Sequence, residues 1–293
     1  MSEVGSSGES GPVGKAGSSG ESASSGQTAP SGEPVSASEP GPVGEPAPSG
    51  EPAPWLNPEV LSRFDPMLEL LASSHTSLSS VTEPGEARLI HVADSLSGLA
   101  CPEVGEASAC LDLGSGAGFP GIPLALLLPD CQFTLIDSVG RKVDFINEVI
   151  LALGLKNARA VKTRSEDWAK GDGYQRYDLV TARAVAPLAV LAELASPLLV
   201  EGGHLVAWKG EPEPESERLI GENQDRLAMT VQRRISVTPY RQSRERCLYV
   251  VRKSGPTPPG LPRRPGMARK RPLGNRRTSR PDLRPDAETP TGH

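Results

Sequence analysis

Residues 111–121 read Leu-Asp-Leu-Gly-Ser-Gly-Ala-Gly-Phe-Pro-Gly and overlap the end of a short apolar run, 109–113. Glycine adopts positive φ angles without steric penalty, so Gly114, Gly116 and Gly118 can form a tight turn that a ligand approaches closely. The N–H groups at the start of the following helical segment point toward the same place. The stretch therefore predicts a nucleotide-like ligand at the end of a first strand.

A carboxylate ends the next apolar run. Asp137 lies 23 residues beyond Gly114, at the end of the predicted strand 133–137. An acidic side chain at about this spacing accepts hydrogen bonds from the ribose hydroxyls of an adenosine. We therefore expect the ligand to carry an adenosine.

Two adenosine cofactors fit the glycine spacing. Gly116, Gly118 and Gly121 satisfy the dinucleotide fingerprint Gly-x-Gly-x-x-Gly, so NAD is one alternative. Asp112 argues against NAD, because a carboxylate at the mouth of the loop would repel a pyrophosphate. S-adenosylmethionine has a cationic sulfonium and ammonium and no pyrophosphate, so we favour it. A turn that only lets strand and helix pack is the remaining interpretation.

The pattern after Cys101 alternates short apolar strands with helical segments, which is typical of a parallel sheet built from βαβ units. The predicted strands are 109–113, 133–137, 158–162, 177–181, 204–208, 233–238 and 247–251. The predicted helices in this part are 121–128, 141–153, 187–199 and 213–227. An α/β fold with seven strands, the last ones meandering, fits the Rossmann-like sheet of class I methyltransferases better than a double dinucleotide-binding fold.

Two helical segments are predicted before the sheet. In 57–72 apolar residues recur every three or four positions behind Asn57-Pro58, an N-cap followed by proline at the first helical position. Pro66 predicts a kink or two short helices there. The second segment, 86–99, carries His91 and Asp94 three residues apart, and we interpret this pair as structural.

Charge is distributed unevenly along the 293 residues. The formal net charge is −5, with −6 in residues 1–54 and +8 in residues 252–293, which leaves −7 between them. Residues 1–54 hold 13 Ser, 11 Gly and 9 Pro and no aromatic residue, so they cannot offset the entropy of folding. The chain is thus predicted to be a disordered tail at 1–54, a methyltransferase domain at 55–253, and a basic, Pro-rich, flexible tail at 254–293.

The sequence has no candidate membrane span and no signal peptide, which predicts a cytoplasmic protein. Its four cysteines have neither metal-binding spacing nor the density of a disulfide scaffold. We expect reduced core thiols and no metal site.

The predicted acceptor site follows strand four, in residues 181–187, which read Thr-Ala-Arg-Ala-Val-Ala-Pro. They contain neither Asn-Pro-Pro-Tyr, which would hold an exocyclic amine, nor Pro-Cys, which would attack a pyrimidine. Guanine N7 has an in-plane lone pair and needs no general base, so positioning alone can suffice. Arg183 is a candidate for orienting the guanine or holding the cofactor loop, and a plain ion pair is the alternative.

Several runs resemble one family. They are Leu78-Ser79-Ser80-Val81, His91-Val92-Ala93-Asp94-Ser95-Leu96, Asp112–Pro123, Leu135-Ile136-Asp137-Ser138, Arg141-Lys142, Arg164-Ser165-Glu166, Ala182-Arg183-Ala184 and Arg263-Arg264-Pro265-Gly266. Together they resemble the RsmG (GidB) family over about residues 58–273. The resemblance implies S-adenosylmethionine-dependent formation of 7-methylguanosine in a decoding-region hairpin of 16S ribosomal RNA.

The resemblance also implies roles for individual residues. It places Gly114, Phe119, Ser165, Glu166 and Arg183 at cofactor contacts. It places Asp137 at the ribose; Asp112 and Gly116 complete the expected cofactor site.

The expected partner is 16S rRNA or the small ribosomal subunit, with the basic tail as the main phosphate contact and the enzyme a monomer. Deleting 262–293 is expected to spare the cofactor pocket. A small-molecule methyltransferase or NAD enzyme, and a non-catalytic RNA-binding protein, remain as alternatives.

Overall fold

The computed structural model describes residues 56–74, 78–243 and 246–273. The predicted disordered segment 1–54 and the end of the basic tail, 274–293, lie outside the described residues.

Seven strands form a single sheet in the order β3-β2-β1-β4-β5-β7-β6. The strands are β1 (Ala109–Leu113), β2 (Gln132–Asp137), β3 (Ala158–Lys162), β4 (Tyr177–Arg183), β5 (Leu199–Lys209), β6 (Met229–Val237) and β7 (Arg246–Lys253). β1 to β5 pair in parallel, while β7 is antiparallel to both β5 and β6. The predicted α/β fold class is confirmed. The prediction that the last strands form a simple meander was wrong, because β7 inserts between β5 and β6.

Twelve α-helices occur in the described part of the chain. They are α1 (Pro58–Ser62), α2 (Asp65–Ser73), α3 (Pro84–Ala87), α4 (Asp94–Leu96), α5 (Pro102–Gly105), α6 (Gly121–Leu127), α7 (Gly140–Ala152), α8 (Ser165–Trp168), α9 (Leu188–Ala195), α10 (Pro214–Glu222), α11 (Gln224–Leu227) and α12 (Met267–Lys270). The crossovers that join the parallel strands carry α6, α7, α8 and α9, as βαβ units require.

The N-terminal helices form largely as their sequence predicts. The Asn57 side chain accepts a hydrogen bond from the Glu59 N–H, and the helical run breaks into α1 and α2 just before Pro66. The second predicted helix is interrupted: a π-helical stretch, Arg88–Ala93, lies between α3 and α4. The wider turn is a local feature that apolar spacing alone does not predict.

Two apolar layers cover the two faces of the sheet. The N-terminal helices, α6 and α7 bury one face, and this core includes Phe64, Met67, Leu71, Ile122 and Phe145. On the other face α9 and α10 pack on the sheet around residues such as Tyr177, Leu191 and Tyr249. The four cysteines are buried and none forms a disulfide. None of the described helices is long and apolar enough to cross a membrane.

The expectation of a flexible tail from residue 254 differs from the structure over 254–273. Arg263 donates two hydrogen bonds of 2.6 Å to the Glu193 carboxylate, which is buried in α9. Ala268 in α12 is also buried. The segment is held because a buried carboxylate on α9 requires a cationic partner, which composition alone could not indicate.

Candidate functional site

The glycine-rich turn after β1 has the backbone that its sequence predicts. Gly114, Gly116 and Gly118 have φ angles of 71°, 61° and 93°. A Cβ on Gly114 would lie 2.9 Å from a methyl group of Val185, so this position excludes a side chain on steric grounds as well. The turn therefore brings bare backbone to the carboxyl edge of the sheet.

Asp112 lies beneath this turn and is fully buried. Its carboxylate accepts a hydrogen bond of 3.1 Å from the Gly121 N–H and one of 2.8 Å from the Thr181 hydroxyl. Burial raises the pKa of Asp112 to about 6, with the Thr181 hydrogen bond opposing that rise. The expectation of a carboxylate at the loop mouth was therefore wrong, since Asp112 ties β1 to β4 and to α6.

Asp137 stands where the sequence predicts, at the end of β2. Its two carboxylate oxygens accept hydrogen bonds from the N–H groups of Gly116, at 3.1 Å, and Val139, at 2.9 Å. The Lys142 ammonium forms an ion pair with one of these oxygens at 3.8 Å, too far to donate a hydrogen bond, so each oxygen can still accept one bond from a ligand. Such a pair of acceptors suits two vicinal hydroxyls.

A cavity of about 230 Å³ opens beside Asp137. Its lining includes Gly114, Asp137, Ser165 and Glu166, which are four of the predicted cofactor residues. The Ser165 hydroxyl donates to the Glu166 carboxylate at 3.1 Å, and both residues are nearly buried. We call this space the small cavity. Its fixed carboxylates and glycine backbone fit the ribose and methionine groups of S-adenosylmethionine.

The C-terminal segment closes one side of the small cavity. Gly266 and Arg269 line it, and the Gly266 N–H donates a hydrogen bond of 2.7 Å to Glu166. Arg269 donates to the Val185 carbonyl at 3.0 Å. The expectation that deleting 262–293 would spare the cofactor pocket therefore does not agree with this geometry.

Arg183, at the end of β4, is held by the N-terminal helices. Its guanidinium donates to an Asp94 carboxylate oxygen at 2.8 Å and to the Ile90 carbonyl at 3.2 Å. It also lies 5.3 Å from the centroid of the Phe119 ring. Arg183 thus forms an ion pair that docks the helices onto the sheet edge, and its roles toward the guanine and the cofactor stay predictions.

His91 bridges the same elements. One ring nitrogen lies 2.7 Å from the Ser79 hydroxyl, and the ring centroid lies 4.8 Å from that of Phe119. Burial, followed by the positive charge of Arg183, lowers the pKa of His91 to about 4. The imidazole is therefore neutral near pH 7, and its hydrogen bonds match the structural role inferred for the His91 and Asp94 pair.

A larger cavity, of about 880 Å³, lies on the other side of Arg183. We call it the large cavity. It is lined by residues at the ends of β4, β5 and β7, in the π-helical stretch and at the start of α4, among them Asp94, Arg183, Val185, Trp208, Lys209 and Arg246. Val185 also lines the small cavity, so the two spaces adjoin at this side chain. Arg183 and Asp94 face the large cavity, whereas Phe119 and Gly116 line neither.

Sequence reasoning missed several lining residues. Gly266 and Arg269 were assigned to a flexible tail, although the Arg-Arg-Pro-Gly run that resembles the family was a usable signal. Arg246 was not considered at all. In the described part of the chain, no group of three or more His, Cys, Asp or Glu side chains is arranged to hold a metal.

The strand order, the glycine turn after β1 and the carboxylate after β2 together define a class I S-adenosylmethionine-dependent methyltransferase. The family model described as rRNA small subunit methyltransferase G (GidB) matches residues 59–247. The chain belongs to this family, which confirms the resemblance drawn from its motifs.

Two relatives that share the family name agree with this assignment. The ribosomal RNA small subunit methyltransferase G of Staphylococcus saprophyticus is 39% identical over 201 residues, 67% of this chain and 82% of that protein. The protein of the same name from Limosilactobacillus reuteri is 35% identical over 224 residues, 74% of this chain and 93% of that protein. Among solved structures, a SAM-dependent methyltransferase from Aquifex aeolicus gives a TM-score of 0.42 at 20% identity, over 54% of this chain and 89% of that one.

Proposed function

We propose that this protein transfers a methyl group from S-adenosylmethionine to N7 of a guanine in the decoding-region hairpin of 16S rRNA. The observation that carries the proposal is the pair of cavities that adjoin at Val185, in a chain of the rRNA small subunit methyltransferase G family. A donor in the small cavity and an acceptor in the large one would meet there. The size of the large cavity lies within the range of about 300–1,000 Å³ that is usual for ligand pockets.

In this proposal Asp137 holds the ribose through its two remaining acceptor sites. The backbone of Gly114 accommodates the methionine end, Ser165 and Glu166 line the side next to the ribose, and Gly116 acts indirectly by donating a hydrogen bond to Asp137. S-adenosylmethionine, when bound, supplies an electrophilic methyl group. Asp112 and Phe119 act indirectly, since one holds the turn from below and the other packs between His91 and Arg183.

Transfer to N7 requires no proton removal before attack, because the N7 lone pair is already free. The titratable groups near the large cavity are consistent with this chemistry. His91 has a pKa of about 4 through burial and the charge of Arg183, and its ring nitrogens are engaged by Ser79 and Arg183. Catalysis then depends on holding the base in line with the methyl group, and Arg183 is the proposed orienting residue.

We also propose that the protein acts as a monomer in the cytoplasm, where its rRNA substrate is found, and that residues 1–54 are dispensable. A net charge of −6 in that segment cannot match RNA phosphates. A chain beginning at Trp55 should methylate at the full-length rate, and light scattering should give the mass of one chain.

The test uses purified protein, 16S rRNA and S-adenosylmethionine labelled in its methyl group. Digestion and mass spectrometry of the RNA should find the label in 7-methylguanosine within the decoding-region hairpin. Transfer only to small molecules, or preferential binding of NAD, would reject the proposal. RNA binding without any transfer would favour the non-catalytic alternative.

A further inference from the structure

Arg246 reaches the acceptor side of the sheet because β7 runs antiparallel to its neighbours. As the first residue of β7, it lies beside Cys247, which pairs with Lys209 at the carboxyl end of β5. Arg252, near the other end of the same strand, pairs with His204. The two arginines of β7 therefore lie toward opposite ends of the strands, Arg246 at the carboxyl ends of the parallel strands and Arg252 toward their amino ends.

The charges around Arg246 are not balanced. Asp94 pairs with Arg183 at 2.8 Å and is also the carboxylate nearest to Arg246, whose Nε lies 3.6 Å from it. Among the described residues no other carboxylate forms an ion pair with Arg246. One carboxylate between two guanidiniums leaves one net positive charge.

The other cation of the large cavity is compensated. The Lys209 ammonium lies 2.7 Å from a Glu213 carboxylate oxygen and donates a hydrogen bond of 2.6 Å to the Ala186 carbonyl. Glu215, on the same rim, is paired with Arg218 at 2.6 Å. The excess positive charge is therefore localised at Arg183 and Arg246.

Arg246 also stands between two spaces. It lines the large cavity and a neighbouring one of about 500 Å³, which Ser243 and Arg234 also line. The Arg246 Nε is buried and faces the Asp94 carboxylate at 3.6 Å without a hydrogen bond, while the side chain as a whole is 35% exposed, so its outer N–H groups can reach a ligand. A partly exposed guanidinium that shares its one carboxylate with Arg183 suits a ligand group that is anionic and rich in acceptors.

We infer that Arg246 binds the phosphodiester next to the methylated guanosine of the RNA, between the large cavity and the cavity of about 500 Å³. The inference rests on the proposed function. The target guanosine would lie in the large cavity and the adjacent nucleotide in the cavity of about 500 Å³. The phosphate that joins these two nucleotides would then pass Arg246. Asp94 positions Arg246 through its free oxygen, while its other oxygen holds Arg183.

The first test replaces Arg246 by glutamine and measures methylation and RNA binding over a range of salt concentrations. Arg246→Gln should raise KM for the RNA about tenfold and reduce the slope of log affinity against log salt by about 0.7–0.9, which corresponds to one phosphate. Arg246→Lys should restore most of the salt slope. Affinity for S-adenosylmethionine, measured by calorimetry, should not change.

Arg252→Gln is the matched control, because Arg252 is an exposed arginine toward the opposite end of the same strand. It should leave KM and the salt slope unaltered. If both variants change the slope equally, the effect is one of general charge and the inference is overturned.

The second test identifies the contacted group. RNA hairpins with one neutral methylphosphonate, either 5′ or 3′ of the mapped guanosine, are compared with the unmodified hairpin. One of the two should weaken the wild-type enzyme as much as Arg246→Gln does, and the variant should not distinguish it from normal RNA. If the loss of RNA affinity from each methylphosphonate simply adds to the loss from Arg246→Gln, Arg246 does not contact either flanking phosphate. If wild-type protein never methylates the RNA, the proposed function has failed instead.

Discussion

The small and large cavities adjoin at Val185 but are built in different ways. The small cavity lies at the ends of β1, β2 and β3 and is closed by the C-terminal segment, and the carboxylates of Asp137 and Glu166 that line it are fixed by hydrogen bonds. The large cavity lies at the ends of β4, β5 and β7, and two of the side chains that line it, Arg183 and Arg246, share the carboxylate of Asp94.

This difference indicates what each space is prepared to bind. A cavity whose acceptors are already oriented can bind a small rigid molecule with little reorganisation. A cavity that contains a guanidinium without its own carboxylate partner favours a negatively charged ligand. The first suits a cofactor, and the second suits a segment of a polyanion.

The strongest test of this contrast targets the closure of the small cavity. Arg263→Ala removes both hydrogen bonds to the Glu193 carboxylate, which is only 3% exposed. A buried carboxylate left unpaired destabilises a protein by about 3–5 kcal/mol. Chemical denaturation should show this loss, and calorimetry should show weaker S-adenosylmethionine binding because Gly266 is no longer held against Glu166.

Arg218→Ala is the control for that variant, since its partners Glu215 and Glu222 are exposed. It should barely change the denaturation midpoint. Unaltered stability in Arg263→Ala would mean that the C-terminal segment does not hold the small cavity closed.

A smaller loss is expected from Asp137→Ala. The variant loses the proposed ribose contact and the bonds from Gly116 and Val139, so S-adenosylmethionine affinity should fall by roughly 1.5–3 kcal/mol. Titration calorimetry measures the change, and circular dichroism checks the fold. RNA affinity should be preserved; a parallel loss of RNA binding would contradict the separation of the two cavities.

Two glycines with positive φ distinguish backbone strain from steric exclusion. Gly114→Ala places a Cβ 2.9 Å from Val185, whereas Gly154→Ala, at a φ of 64°, meets nothing within 4 Å. Gly154→Ala should lose about 1 kcal/mol of stability through its positive φ alone, and Gly114→Ala should lose more because of the contact with Val185. Only Gly114→Ala should also weaken the cofactor, by roughly fivefold or more, and equal cofactor affinities would argue against the close approach at Gly114.

The last prediction concerns His91 beside the large cavity, where the effect on stability arises only below about pH 6.5. Its pKa of about 4, below the ordinary 6.5, means that the unfolded chain binds the proton more readily, so stability falls as pH decreases from 6.5 toward 4. In His91→Gln this contribution is absent. The difference in unfolding free energy between wild type and variant should change by up to about 1 kcal/mol per pH unit there, and a constant difference would contradict a neutral His91.

Local spacing predicted the local parts of the molecule well. β1 and β3 have the predicted bounds, and the glycine turn and Asp137 lie at the ends of β1 and β2. These features depend on neighbouring residues and on the rule that parallel strands end at one edge. The π-helical stretch was missed because apolar periodicity does not distinguish it from an α-helix.

Contacts between distant parts of the chain were not predictable in this way. Gly266 meets Glu166 across 100 residues, and the burial of Asp112 depends on Thr181, which lies on another strand. Tertiary packing determines both contacts, and the spacing of residues in a single sequence does not predict such packing. The sequence predicted where the polar residues lie along the strands, but it did not predict which side of the turn the Asp112 side chain faces.

The ion pair between Glu193 and Arg263 also sets an order of events during synthesis. The two residues are 70 positions apart, so at about 5–20 residues per second the carboxylate is made roughly 4–14 s before its guanidinium. Through that interval α9 cannot settle fully on the sheet without burying an unpaired charge. The small cavity is thus completed last, and a nascent chain acquires its cofactor site only after the rest of the sheet has been made.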